Sequence, residues 1–154
     1  MLPIPTKFFL IVGKADGNTP LNAFDLALLD SGIGNTNLIK VSSILPPGAI
    51  EIEKIKIPAG SLLHVAYASI VSDMPNEVIA AAVAVAIPKD RTLSGVIMEY
   101  SSRGHKEDAE DVVRMMVEQA MTNRGYEIGE IKSLGIQHKV TKIGAAFAAV
   151  ALYW

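Results

Sequence analysis

Asn37-Leu38-Ile39-Lys40-Val41-Ser42-Ser43-Ile44-Leu45-Pro46-Pro47 carries an extended, apolar segment into two adjacent serines and then into two prolines. β-Branched and large apolar residues over 35–41 favour a strand, and the prolines fix the backbone and withdraw two N–H donors, so the strand must turn there. The Ser42–Ser43 link therefore falls at a corner. Ser-Ser pairs are common in surface turns, where their hydroxyls satisfy local backbone groups, and a plain turn is one reading of these residues. The other reading is chemical. The Ser43 hydroxyl attacks the Ser42 carbonyl and converts the amide to an ester, and β-elimination then releases the upstream chain. Hydrolysis of the remnant of Ser43 leaves a pyruvoyl group, a ketone that forms a Schiff base with a substrate amine as no ordinary side chain does.

Working outward, residues 7–12 read as a strand, followed by a Gly- and Asn-rich loop at 16–18. Thr19 and Pro20 have the character of an N-cap and first helical residue, predicting a helix through Leu29 that stops near Gly32. Downstream, the isoleucines at 50, 52, 55 and 57 alternate with charged residues apart from one slip between 52 and 55, which predicts an edge strand with a bulge. Strands are expected over 64–71, 78–87 and 94–100, with a turn at 73–76 between the first two. Residues 106–122 place Ala109, Val112, Val113, Met116, Val117 and Ala120 on one helical face, with Gly125 as a natural stop. Strands close the chain at 128–140 and 145–153; the Ala content of the last leaves helix as a competing reading. Many strands with two amphipathic helices indicate an α+β sandwich rather than an alternating βαβ chain.

The chain has 154 residues, half of them apolar, which is enough for one domain with a substantial core. Its net charge of −2 and the absence of a basic patch interleaved with aromatics give no electrostatic reason to bind nucleic acid. It has no cysteine, so disulfides and thiolate metal sites are excluded. The apolar runs 78–87 and 143–153 fall short of the roughly 20 residues a spanning helix needs, and the first residues lack the basic region of a secretory signal; the expected location is the cytoplasm. His64, His105 and His138 share no metal-ligand spacing and are read as structural, like the Met115, Met116 and Met121 cluster. No lysine is marked as an anchor for pyridoxal phosphate.

Further patterns accompany the serines: Leu21-Asn22-Ala23-Phe24-Asp25, Gly32-Ile33-Gly34-Asn35, Ala86-Ile87-Pro88-Lys89-Asp90, Gly95-Val96-Ile97-Met98-Glu99-Tyr100, and the small-residue terminus from Gly144 to Trp154. In order and spacing, this series resembles the pyruvoyl-dependent arginine decarboxylase family over nearly the whole chain. Leu26, Asp30 and Ser31 depart from the Gly, Asn and Ala of that pattern. The resemblance implies a four-layer αββα sandwich with mostly antiparallel sheets. It implies one domain, 1–154, that cleaves itself into 1–42 (a beta subunit) and 43–154 (an alpha subunit with an N-terminal pyruvoyl). It further implies trimers, sometimes paired, with active sites between subunits, and conversion of L-arginine to agmatine and carbon dioxide with neither pyridoxal phosphate nor metal.

The resemblance also assigns roles that the residues alone leave open. Asp25 is by itself a solvated helix charge; the resemblance makes it the carboxylate that holds a substrate guanidinium through two parallel bonds, with the Gly34 carbonyl as a further acceptor. Glu99 in an apolar strand is either a solvent-facing carboxylate or, as the resemblance implies, a buried acid that protonates the α-carbon after carbon dioxide leaves. Asn37 caps a loop or donates its amide N–H to the oxyanion formed when Ser43 attacks, a kind of contribution worth roughly 3 kcal/mol of barrier. Two alternatives to arginine decarboxylation stand: the same chemistry on another amino acid, and an unprocessed chain serving as a structural or small-molecule-binding subunit.

Overall fold

The computed structural model describes residues 1–154 and runs β1 (Lys7–Asp16), α1 (Pro20–Ser31), β2 (Asn37–Lys40), β3 (Ile44–Leu45), β4 (Ile50–Glu51), β5 (Leu62–Ser72), β6 (Val78–Pro88), β7 (Gly95–Arg103), α2 (Lys106–Arg124), β8 (Ile128–Lys139) and β9 (Gly144–Tyr153). One sheet has the order β2-β5-β9-β1-β4 and the other β3-β7-β6-β8. All pairings are antiparallel except β2 with β5 and β4 with β1. The α+β expectation holds.

The two uninterrupted apolar runs become β6 and β9, strands covered on both faces, which explains why they lack the polar alternation of a half-exposed strand. Along β9, Ala145, Phe147, Ala149 and Ala151 pack toward α1, while Ala146, Ala148, Val150 and Leu152 pack against the second sheet. Along β6, Ala80, Ala82, Ala84 and Ala86 pack toward α2, and Ile79, Ala81, Val83 and Val85 fill the space between the sheets. Three core layers therefore separate four layers of secondary structure in the order helix, sheet, sheet, helix. Small side chains let those layers approach closely. At Gly13 a methyl group would lie 2.0 Å from the Ala27 carbonyl oxygen, so α1 can rest directly on β1 only because that position has no side chain.

Both helix boundaries follow local chemistry. The Thr19 side chain accepts the Asn22 N–H at 3.1 Å and Pro20 opens α1, while Gly32 (φ 95°) and Gly125 (φ 68°) end α1 and α2 in left-handed conformations. The expected strand over 50–57 is corrected. Only Ile50 and Glu51 pair with β1, and no strand continues through residue 57. Ile52, Ile55 and Ile57 all pack into the α1-side core, and Lys54 donates to the Ser31 carbonyl at 3.3 Å. The spacing 52 to 55 is odd, so one strand face cannot carry both. The slip in the pattern marks the chain leaving the sheet edge to cover the core. The two-residue strand β3 and its pairing with β7 were not anticipated from the sequence.

β1 ends on a polar clamp. Asp16 Oδ2 lies 2.7 Å from His138 Nε2, and Oδ1 accepts the N–H groups of Thr141 and Lys142 at 3.1 and 3.2 Å, tying the β8–β9 turn to the start of the α1 loop. Burial opposes the charged carboxylate, but the Lys142 N–H, His138 and Thr141 together hold its pKa below the ordinary value. A carboxyl depressed in the folded state adds stability above its unfolded pKa, and that stability is lost as pH falls through the folded one. Asp16→Asn is expected to lower unfolding stability by about 1–2 kcal/mol at neutral pH. The gap from wild type should shrink below about pH 4, which denaturant melts across pH would read directly.

Candidate active site

β2 is the edge strand of the first sheet and β3 the edge strand of the second, so Ser42 and Ser43 are the residues on which the chain crosses between sheets. The crossing is held at both ends. The Val41 N–H donates to the Val65 carbonyl of β5 at 2.9 Å, and the Ile97 N–H of β7 donates to the Ser43 carbonyl at 2.7 Å. Between these anchors the Ser42 carbonyl accepts no backbone hydrogen bond within the chain. Ser42 is exposed and Ser43 half-buried. A peptide link pinned on either side and unpaired in the middle presents its carbonyl to attack without first breaking a sheet bond.

Strand alternation then locates Glu99. Leu45 and Ile97 both belong to the core between the sheets, so Ser43, two residues before Leu45, and Glu99, two residues after Ile97, face that same space. Glu99 lies about 7 Å along β7 from the residue that pairs with Ser43. Its Oε2 is buried and has no hydrogen-bond partner. Burial raises its pKa, with the Lys40 charge opposing more weakly. The carboxyl is thus biased toward its protonated form beside the serine pair, and an orphaned buried oxygen next to that crossing fits a site built to receive a reactive carbonyl.

The other sequence-predicted residues lie elsewhere in the chain. Asn37 is exposed at the start of β2, and about 13 Å of extended strand separates it from Val41, so its amide does not reach the Ser42 carbonyl of the same chain. Asp25 is exposed on α1 and lines a polar cleft of about 500 Å³ with Asp16, Asn22, Leu26 and Lys142. Gly34 occupies the corner between α1 and β2. A methyl group there would meet the Leu29 side chain at 2.6 Å, and its carbonyl accepts no backbone hydrogen bond within the chain. Of the three departures from the expected pattern, Asp30 accepts the Lys14 N–H and Ser31 donates to Leu28, both structural, whereas Leu26 shares the cleft of Asp25.

The sequence reading of His64 as structural did not place it at the serines. It sits on β5 beside the serines, in a cleft of about 300 Å³ that Ser42, Val41, Ile44, Leu152 and Trp154 also line. Nothing local signals this, because the proximity arises from the parallel pairing of β2 with β5. No group of three His, Asp or Glu side chains is positioned to hold a metal ion. No helix is long and apolar enough to cross a membrane.

Residues 7–153 match the family described as pyruvoyl-dependent arginine decarboxylase. Among relatives bearing that name, the protein of Methanocaldococcus jannaschii is 49% identical over 98% of this chain and 92% of its own length. That of Methanococcus aeolicus is 53% identical over 97% and 91%, and that of Thermococcus kodakarensis 44% over 97% and 96%. A solved pyruvoyl-dependent histidine decarboxylase superposes with a TM-score of 0.53 over 64% of this chain and 52% of its own, at 16% identity, a likeness of fold. With its two-sheet sandwich crossed at a serine pair and its match from β1 to β9, the chain belongs to the pyruvoyl-dependent arginine decarboxylase family.

Proposed function

We propose that this chain cleaves itself between Ser42 and Ser43 and decarboxylates L-arginine to agmatine and carbon dioxide. The observation that carries the reading is the crossing itself: a serine pair anchored by Val65 and Ile97, with its central carbonyl free of backbone hydrogen bonds and the half-buried Glu99, its Oε2 buried and unpartnered, on the same face. Fragment 1–42 stays bound because β1, α1 and β2 are woven into the first sheet and its core. A pyruvoyl group at residue 43 would be held by the Ile97 N–H on its carbonyl side and would supply an electrophilic ketone for amine condensation and decarboxylation. Glu99 holds the proton that the α-carbon needs once carbon dioxide has left. No pyridoxal phosphate or metal ion enters this scheme.

Asp25 binds the guanidinium through charge-assisted bonds, and the Gly34 carbonyl takes another of its N–H groups. Because Asp25 and Asn37 lie away from the serine pair within one chain, they serve a site completed by a neighbouring copy, as in a trimer or a pair of trimers. The Asn37 amide of one protomer then reaches the Ser42 carbonyl of the next. Carbon dioxide release should be measured with arginine, histidine, lysine and arginine analogues. Arginine is expected to be preferred, and Asp25→Asn is expected to lower kcat/KM for arginine by roughly 10–100-fold, mostly through KM, without blocking cleavage. Equal turnover of lysine and arginine by the wild type, or an unchanged KM in the variant, would remove Asp25 from guanidinium recognition.

A further inference from the structure

Self-cleavage needs a base that neither the serine pair nor Glu99 supplies. After Ser43 attacks, the ester decomposes only when a base removes the proton on Cα of residue 43. The Cα–H electron pair becomes the Cα=Cβ double bond, and the Cβ–Oγ pair departs with the Ser42 carboxylate. Water then hydrolyses the resulting enamine to the ketone and ammonia. Glu99 faces the serines, but burial biases it toward its protonated form, which suits a donor rather than a base.

His64 is a second titratable side chain facing this corner; Lys40, whose charge also reaches Glu99, holds its Nζ over the Tyr67 ring, 4.7 Å from the centroid. Ala66 and Ala68, on the same face of β5, belong to the core between the sheets, as does Leu152, which pairs with His64, so the imidazole projects toward the space that Ser43 and Glu99 also face. It lines the same cleft as Ser42, and the neighbouring residue on β5, Val65, accepts the N–H of Val41. Its Nδ1 is buried without a hydrogen-bond partner. The ring packs edge-on against Trp154, with centroids 5.5 Å apart, and the indole N–H donates to the Pro3 carbonyl at 2.9 Å, so Trp154 with Leu2, Pro3 and Pro5 roofs the cleft. A buried imidazole nitrogen left without a partner is costly in a purely structural residue, and a fixed ring in an apolar, roofed cleft is suited to taking a proton from carbon.

We propose that His64 is the base of the elimination step: it takes the α-proton of residue 43 and, as imidazolium, pairs with the Ser42 carboxylate that leaves. The assignment rests on the self-processing reading above. It places the histidine in cofactor formation rather than in turnover of arginine.

The test follows freshly made His64→Ala and His64→Asn chains by intact mass beside wild type and Ser43→Ala, with circular dichroism to check folding. Both His64 variants are expected to cleave at least tenfold more slowly than wild type and to accumulate the ester, which has the mass of the uncut chain. Hydroxylamine should split that species into a 1–42 hydroxamate and a 43–154 fragment beginning with serine, while Ser43→Ala resists it. Added imidazole should restore elimination in His64→Ala. Cleavage of either folded variant at the wild-type rate overturns the proposal, as does a stalled chain that hydroxylamine leaves intact. A wild-type chain that never cleaves removes the self-processing reading and this role with it, whereas wild-type cleavage with unaffected His64 variants removes this role alone.

Discussion

Ser43→Ala is expected to remain a single 16.4 kDa chain under conditions in which the wild type separates into two fragments. The substitution removes one oxygen at a half-buried position and leaves the flanking anchors, Val41 to Val65 and Ile97 to residue 43, intact, because both are backbone bonds. Folding should therefore be close to normal, and the loss is chemical: without the hydroxyl no ester forms, and without the ester no ketone. Arginine decarboxylation is expected to fall to background, and borohydride with arginine should trap no adduct. Ser42→Ala provides the contrast. Its carbonyl is what Ser43 attacks, and its exposed side chain makes no hydrogen bond required by the fold, so cleavage should continue within about tenfold of the wild-type rate, a loss of under about 1.4 kcal/mol. Decarboxylation by Ser43→Ala, or adduct formation on it, would show that the reactive carbonyl comes from elsewhere and would remove the basis of the proposed function.

What could be read before the structure divides along the range of the interactions involved. Thr19, Pro20, Gly32 and Gly125 act within a turn of their own positions, so the helix ends were legible. β6 was legible as a buried strand because apolar side chains at every position admit no solvated face, whereas the alanines of β9 left helix as a competing reading that its pairing with β1 and β5 decides. The segment 50–57 misled because its near-alternation is produced by isoleucines covering a core from outside the sheet, a pattern that resembles strand pairing until Ile55 breaks it. β3 escaped because two residues become a strand only through their partner β7. The Ser42–Ser43 pair stood out as chemistry, yet its surroundings did not. Asn37 is near Ser43 in sequence and a strand's length away in space, whereas His64 is distant in sequence and lines the same cleft as Ser42.

The same geometry makes Glu99 separable from the serine pair by experiment. Glu99→Gln keeps the shape of the side chain and removes the transferable proton, so precursor cleavage should proceed while kcat for arginine falls by roughly 10²–10⁴-fold, the range attributed to a positioned acid. On the proposed role the protonated carboxyl is the active form, and its pKa is raised by burial against the weaker pull of Lys40. Activity should therefore decline as pH rises through that elevated pKa, and the residual activity of the variant should lose this alkaline limb. Stability also falls with rising pH. A carboxyl whose folded pKa is raised is relatively favourable to folding at low pH, and that contribution is lost as pH climbs from its unfolded to its folded value. The neutral amide avoids the cost of placing charge on a buried Oε2 that has no partner, so Glu99→Gln is expected to unfold at an equal or higher denaturant midpoint than wild type at neutral pH, with the difference vanishing near pH 4. A residue whose replacement abolishes turnover while preserving or raising stability is retained for chemistry. If the variant instead loses stability at neutral pH and turnover falls only in proportion, Glu99 is a packing residue and the proton must come from another group.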